Sequence, residues 1–404
     1  MRTVLLTLLL FAAGPAPAQD LVVKGGVVYP VDGPSIEDGV VVVRDGKIAA
    51  VGAADEVRIP EGVRVLEAAV VTPGFVDAHT VVGLAGALNQ PNDQDQLERS
   101  DAIQPDLRAI DAYNARELLV EWVRSLGVTT INTGHAPGEV VSGQTMIAKT
   151  RGDTVEEAVL RPVAMVAATL GEQALASGSG RKSPGTRAKA VAMLRQELIK
   201  AGEYRAKRDN AKKGKEPPRD LRLEALASVL DGDIPLLVTA NRHQDISTAL
   251  RIAEEFDIPI VLDGAAEAYL LTDEIRAAGV PGVIHPMMAR AYGDRENISF
   301  TTPRVLLDAG IPVAFQSGFE NYVPKTRVLP WEAAISLAHG VEFDEALAAI
   351  TLVPARILGL EERIGSITKG KDADLALFDG DPFEYTSHVT GVVIDGEVVS
   401  EVVR

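Results

Sequence analysis

Residues 70–84, VVTPGFVDAHTVVGL, set the architecture of this 404-residue chain. An apolar run, a Pro-Gly turn and a second short apolar run lead directly to Asp77 and His79. This pattern predicts a buried strand that delivers polar side chains at its C-terminal end, where parallel α/β barrels hold their chemistry. His79 is therefore the first candidate site residue.

Strand and helix patterns alternate after this stretch, which favours a parallel sheet closed by helices, a (β/α)8 TIM-like barrel. Residues 70–359 are predicted to form it. The predicted barrel strands after the first are residues 127–134, 145–152, 162–172, 234–241, 258–264, 280–286 and 311–318. The polar segment 89–114 is expected to form a lid. The basic segment 177–220 is expected to be a solvated insertion, with a docking patch as the alternative.

The two ends of the chain carry a different pattern, with short Val-rich runs around turns such as Asp45-Gly46 and Asp395-Gly396. Asp-Gly between β-rich runs predicts a tight hairpin. Neither end has enough apolar surface to be stable alone. Residues 19–69 and 360–404 are therefore predicted to form one composite β-sandwich beside the barrel.

Composition excludes several classes of function. The net charge of −17 argues against nucleic-acid binding, because such a surface repels phosphate backbones. The chain contains no cysteine, which excludes disulfides, thiolate metal ligands and a cysteine nucleophile. Any bound metal would therefore need His, carboxylate or carbonyl ligands.

Residues 1–18 have the features of a secretory signal peptide. Arg2 precedes a largely apolar run at residues 4–13, and Ala16-Pro17-Ala18 forms an A-x-A cleavage pattern. The apolar run is too short to span a bilayer. We expect export to the periplasm or outside the cell, cleavage before Gln19 and no membrane insertion of the mature chain.

Three motifs, in family order, resemble those of the amidohydrolase superfamily. PGFVDAH at residues 73–79 is similar to its first-strand motif, residues 343–360 to its T-x-x-P-A-x-I-L-G segment, and GSITKGKDADLALFD at residues 365–379 to its C-terminal signature. Within the superfamily the resemblance is to the imidazolonepropionase-like branch. It implies a hydrolase of C–N bonds that uses one or two divalent metals, such as zinc, to activate water.

Most metal-ligand positions implied by the resemblance are substituted. The second histidine of the first-strand motif is Val81, and the fifth-strand histidine is Thr239, with His243 four residues later. The fourth-strand carboxylated lysine or glutamate corresponds to Ala167, with Glu172 just beyond it. The sixth-strand histidine is Asp263, which remains a possible ligand. The eighth-strand aspartate falls within Gln316-Ser317-Gly318.

In one alternative, two further histidines replace the lost metal ligands. His135 follows the second strand and His285 the seventh, so with His79 they would give three imidazoles, with Asp263 or Glu172 as an acid partner. In the other alternative each histidine has a structural role, as a hydrogen-bonded side chain and not as a metal ligand. The catalytic candidates are Asp263, Glu172 and Gln316. The predicted pocket contains His79, His135, His243, Asp263, His285, Gln316 and Ser317.

Two functions follow from these positions. One is an exported hydrolase of amide or peptide-like C–N bonds with a degenerate or rearranged metal site, holding zinc or another divalent metal if active. The other is a catalytically inactive barrel that binds a ligand or a partner, without any cofactor. Both take a small amide or peptide-like molecule, and the oligomeric state stays open.

Overall fold

The computed structural model describes residues 20–176, 182–319 and 329–403. The predicted signal peptide and the start of the basic insertion, residues 177–181, lie outside the described residues. Two parts are present: a barrel, and a sheet built from both ends of the chain.

The strands alternate with helices in the middle of the chain and follow one another directly at its ends. They are β1 Leu21–Val28, β2 Ile36–Arg44, β3 Lys47–Ala53, β4 Arg64–Pro73, β5 Phe75–Thr80, β6 Val128–Thr133, β7 Val141–Gln144, β8 Met146–Lys149, β9 Val159–Arg161, β10 Val166–Thr169, β11 Leu236–Ala240, β12 Ile260–Gly264, β13 Gly282–Ile284, β14 Val313–Phe315, β15 Leu375–Phe378, β16 Val389–Ile394 and β17 Glu397–Ser400.

The helices lie mainly between barrel strands. They are α1 Leu118–Ser125, α2 Val155–Ala158, α3 Arg187–Asp209, α4 Leu221–Leu230, α5 His243–Phe256, α6 Thr272–Ala278, α7 Thr302–Asp308, α8 Leu329–Leu337, α9 Phe343–Ala348 and α10 Leu352–Ile357. No helix in the described ranges is both long and apolar enough to cross a membrane.

The barrel closes through two sheets. One has the order β14-β13-β12-β11-β10-β7 and the other β5-β6-β8-β9. Only Thr145 separates β7 from β8, so this bent strand belongs to both sheets. A parallel bridge between Thr80 and Gly318 closes the other seam, from β5 to the end of β14. The predicted TIM-like barrel is confirmed.

The direction of the third barrel strand differs from the expected parallel sheet. β8 pairs antiparallel with β6, and β7 pairs antiparallel with β10. The reason is the short link from Thr133 to Val141. A parallel crossover needs about a dozen residues or more, so this link can only return the chain in the opposite direction.

The composite sheet has the order β17-β16-β15-β4-β1-β2-β3 and contains both ends of the chain. β4 joins the halves, because it pairs in parallel with β1 and antiparallel with β15. Its core is built from valine, leucine and isoleucine, including Val23, Val41 and Leu375. One strand therefore passes from this sheet through Gly74 directly into barrel strand β5.

The predicted lid segment, residues 89–114, is tied to the bent third strand. Gln104 N donates to Val141 O, and Gln144 N donates to Leu107 O. The insertion before β11 is mostly the two packed helices α3 and α4, whose buried side chains include Leu194, Leu198 and Leu226. The lid segment is thus fixed along the third strand, and the two helices of the insertion pack against each other.

Candidate functional site at the barrel mouth

Four consecutive parallel strands build the floor of the site with the same spacing. Leu237, Val261, Val283 and Ala314 form one buried layer inside the barrel. Because side chains alternate along a strand, the residues two positions later face the same interior at its C-terminal end. Those residues are Thr239, Asp263, His285 and Gln316.

Asp263 is the centre of the hydrogen-bond network at this layer. Its Oδ1 lies 2.9 Å from His79 Nδ1 and accepts from Gln316 Nε2 at 2.7 Å. Its Oδ2 accepts from the Thr239 hydroxyl. Gln316 Nε2 also donates to Val283 O at 2.8 Å, which holds its amide in place. Three side chains therefore occupy both oxygens of this carboxylate.

The electrostatics of the pair favour charge on both partners. Burial alone would lower the pKa of His79, but the Asp263 carboxylate and the nearby Asp77 raise it above the ordinary value. Burial alone would raise the pKa of Asp263, but His79, Thr239 and Gln316 bring it below the ordinary value. The Asp263 carboxylate accepts the Nδ1 proton and so orients the imidazole.

A second buried carboxylate lies behind this layer. Asp77 Oδ1 accepts from Ser317 N at 3.0 Å, and Asp77 Oδ2 accepts from the Ser317 hydroxyl. The Ser317 Oγ also lies 2.9 Å from Thr80 Oγ1. Burial raises the pKa of Asp77 to about 6 despite these bonds. Ser317 therefore joins the first and eighth barrel strands and does not line the cavity described next.

The mouth encloses a cavity of about 20 Å³, which is room for a single water molecule. Two buried polar atoms that make no hydrogen bond of ordinary geometry with the described residues, His79 Nε2 and Asn241 Oδ1, belong to residues that line it; His79 also interacts with the backbone of His135. The lining residues are His79, Thr80, Val81, Pro137, Gln173, Thr239, Asn241, Asp263, Gly264, His285, Arg295, Gln316, Gly318 and Phe319.

The structure brings together His79, Asp263, His285 and Gln316 from the sequence-predicted site. All four line the same cavity. Gly318 accompanies His285: it has a positive φ of 60°, and a Cβ atom there would lie 2.9 Å from His285 Nε2. Glycine at this position leaves the space that the imidazole occupies.

His135 is not among the cavity-lining residues. Its ring lies against Gly143, where a Cβ atom would come within 2.5 Å of its Nε2, and it also interacts with the backbone of Leu107. Burial lowers the pKa of His135 to about 4, so the imidazole is neutral near pH 7. The antiparallel third strand, which carries Gly143, therefore packs on this imidazole, while the backbone of His135 lies beside His79.

His243 and Glu172 also lie outside the cavity. His243 begins α5, is about half exposed and places Nδ1 2.7 Å from the buried Glu267. Glu172 is exposed on a short 3-10 helix, and its neighbour Gln173 lines the cavity instead. His243 at the start of α5 and Glu172 on its 3-10 helix therefore both lie away from the cavity.

The metal centre that the family resemblance implies would have to be built from the side chains at the mouth. Among residues 20–176, 182–319 and 329–403, no group of three or more His, Asp or Glu side chains can hold a metal ion. Val81 packs in a small apolar cluster with Ala85 and Ala136. Asp263, the remaining carboxylate of the layer, already accepts three hydrogen bonds.

Sequence reasoning missed Asn241 and Arg295. Asn241 is the last residue of the predicted fifth strand, so its place at a strand end was an available signal. Arg295 lies in the connection after the seventh strand, where its guanidinium is 5.1 Å from the centre of the Tyr292 ring. No sequence pattern marks that position.

Comparison with known proteins finds amidohydrolases and imidazolonepropionases. A family model described as "Amidohydrolase family" matches residues 258–400. The imidazolonepropionase of Geobacillus sp. (strain WCH70) is 27% identical over 403 residues, covering 90% of each chain. The amidohydrolase tasK of Hapsidospora irregularis is 25% identical over 80% of this chain, which spans only 36% of that longer protein.

Solved structures extend the likeness to the whole fold. The crystal structure of an amidohydrolase from Thermotoga maritima MSB8 has a TM-score of 0.89 and 30% identity, and covers 94% of this chain and 100% of its own. A molinate hydrolase structure has a TM-score of 0.60 at 14% identity, over 95% of each chain, and shows the fold alone.

Proposed function

Because this chain belongs to the amidohydrolase superfamily of hydrolases, we propose that it hydrolyses C–N bonds at a mouth that works without the superfamily's metal centre. The observation that carries the proposal is the Asp263 network. Its carboxylate is bonded to His79, Thr239 and Gln316, so that side chains at three positions that the resemblance assigns to metal ligands, His79, Thr239 and Asp263, are bonded to one another.

The His79–Asp263 pair supplies general-base chemistry. Asp263 holds the Nδ1 proton, so a His79 imidazolium that is neutralised loses its proton from Nε2, which is then the basic atom. In the proposed reaction a water oxygen attacks an amide carbonyl carbon while His79 Nε2 takes the water proton. The C–N bond then breaks, and His79 returns the proton to the leaving nitrogen. The cavity has room for this one water molecule.

The test combines metal content with activity. We expect elemental analysis of protein purified without chelator to find clearly less than one transition metal per chain, and melting curves to be the same in zinc, manganese and EDTA. Zinc binding to the folded state would raise stability by about 4 kcal/mol at a thousandfold excess over Kd. Hydrolysis of a panel of small amides should persist in EDTA.

The matched variants are His79→Gln and His388→Gln. His79→Gln should reduce hydrolysis by about a hundredfold or more, since general-base catalysis contributes at least that much. His388 contacts Asp379 in the composite sheet and is half exposed. His388→Gln should therefore leave the rate of hydrolysis unchanged. One equivalent of metal that is lost in His79→Ala, together with activity lost in EDTA, would instead establish a rearranged metal site.

A second candidate function is ligand binding without catalysis. It is favoured by the substitutions at the positions that the family resemblance assigns to metal ligands, where Val81 and Thr239 stand in place of histidines. The same experiment separates the two: metal-free protein that binds amides and hydrolyses none of them would leave the binding role. In either case the ligand is a small amide or peptide-like molecule.

We also propose that the protein is exported. The support is the order of Arg2, the apolar run at residues 4–13 and the Ala16-Pro17-Ala18 pattern. The mature protein would begin at Gln19 and reside in the periplasm or outside the cell. Mass spectrometry of the exported protein that still finds residues 1–18 attached would refute this.

A further inference from the structure

Asn241 presents an unused hydrogen-bond acceptor to the mouth. It follows β11 directly, is 2% exposed and lines the same cavity as His79. Its Oδ1 is buried and has no hydrogen-bond partner among the described residues. Its backbone is fixed, because Asn241 O accepts from Glu267 N at 2.8 Å. A donor group on a bound ligand would satisfy this acceptor, and leaving a buried acceptor unpaired is costly.

The orientation of the Asn241 amide is set by Asp294. The two side chains are hydrogen-bonded, and Asp294 is 4% exposed. The carboxylate of Asp294 only accepts, so the bond is donated by Asn241 Nδ2. With Nδ2 occupied, Oδ1 is the atom left to meet a ligand. Asp294 therefore orients the Asn241 amide so that its oxygen, a hydrogen-bond acceptor, is the atom available at the mouth.

Gly264 leaves the approach to this oxygen open. It follows Asp263, also lines the cavity and has a φ of 73°. A Cβ atom at this position would lie 2.8 Å from Asn241 Oδ1. Any larger residue would therefore both strain the backbone and press on the acceptor.

We infer that Asn241 Oδ1 accepts a hydrogen bond from the amide nitrogen of the ligand, so that the mouth selects primary and secondary amides over tertiary amides and esters. This inference rests on the proposed function, because it assigns the ligand class of the same site. Asn241 is a positioning and specificity residue: a tertiary amide or an ester has no N–H and leaves the acceptor unpaired.

The test uses two probes of nearly the same size, N-methylacetamide and methyl acetate. They differ in one N–H group, which the ester replaces by oxygen. Binding to the full chain in EDTA is measured by ligand-observed NMR titration. We expect the amide to bind at least about tenfold more tightly, because a site with a buried acceptor rejects an analogue that lacks the donor.

Two variants separate this role from a purely structural one. Asn241→Leu should bring the amide-to-ester ratio close to one. Gly264→Ala leaves the Asn241–Asp294 bond in place and should reduce the ratio by crowding Oδ1, which keeps the test valid if Asn241→Leu fails to fold. Circular dichroism and melting curves report folding for both variants.

Each outcome decides the inference. A wild-type ratio near one, a ratio that neither variant changes, or no saturable binding of N-methylacetamide overturns it. A clear amide preference that is lost in the variants supports it, even if no probe is hydrolysed. Absence of hydrolysis with the preference intact would count against the general-base proposal alone. Hydrolysis without the preference would count against the role of Asn241 alone.

Discussion

The barrel mouth and the junction between barrel and composite sheet both bury a cationic side chain among carboxylates, but they leave different atoms unused. At the junction, Lys149 is fully buried at the end of β8 and donates to Asp372 at 2.8 Å, to Asp374 at 3.0 Å and to Asp395. All three of its protons are used. At the mouth, His79 bonds through Nδ1, and its Nε2 makes no hydrogen bond of ordinary geometry with the described residues.

This difference separates a structural network from a site. The junction holds two parts of the fold together, and every proton of its buried cation is used in doing so. The mouth keeps two buried polar atoms unpaired, on His79 and Asn241, at a cost in stability that a ligand can offset. Unpaired atoms beside a cavity are therefore the better guide to function in this molecule than the number of buried charges.

The largest expected effect is at the junction. Lys149→Met should lower the free energy of unfolding by about 3–5 kcal/mol, because it leaves three carboxylates without their buried cation. Urea unfolding measures this. The control is Lys24→Met, whose exposed Nζ lies 3.8 Å from Glu67 and which should change stability by less than about 0.5 kcal/mol. Equal small losses in both variants would contradict the contrast between junction and surface.

The second-largest expected effect is a loss of catalytic activity at the mouth. Asp263→Asn should reduce amide hydrolysis by about a hundredfold or more, because the imidazole loses the carboxylate that orients Nδ1. The loss of unfolding free energy should be smaller than for Lys149→Met, since Asn keeps the shape of the side chain. Steady-state kinetics and urea unfolding of the same preparations give both values. Unchanged kcat would remove the His79–Asp263 pair from the mechanism.

The smallest effect is the acid sensitivity of the junction. Burial alone would raise the pKa of Asp372, but Lys149, Lys47 and Arg363 lower it to about 2. A depressed carboxyl pKa gives stability that is present above the ordinary value of 3.8 and is lost as pH falls toward 2. The lowered pKa of Asp372 corresponds to about 2 kcal/mol of stability.

Comparison with Asp372→Asn isolates this contribution, because burial raises the pKa of the neighbouring Asp374, which acts with the opposite sign. The difference in unfolding free energy between wild type and Asp372→Asn should shrink between about pH 4 and pH 2. A difference that stays constant over this window would show that Asp372 titrates normally.

Local pattern was sufficient to predict the barrel, the shared sheet of the two chain ends and the four residues that meet at the mouth. His79, Asp263, His285 and Gln316 each follow a short apolar strand run, and parallel strand ends converge at one face of a barrel. These features depend on side-chain alternation and on the order of strands and helices. Both are set by residues that are close together in the sequence.

Only the tertiary structure decided how those residues are bonded. His79 and Asp263 are 184 positions apart, and Lys149 and Asp372 are 223 apart, so no local pattern pairs them. The same holds for Ser317 turning to Asp77 and for the Asn241–Asp294 bond. His135 was predicted in the pocket because it follows a strand, but its ring packs on Gly143 of the antiparallel third strand and does not line the cavity. Side-chain partners depend on which strands meet after closure, and closure is a property of the whole chain.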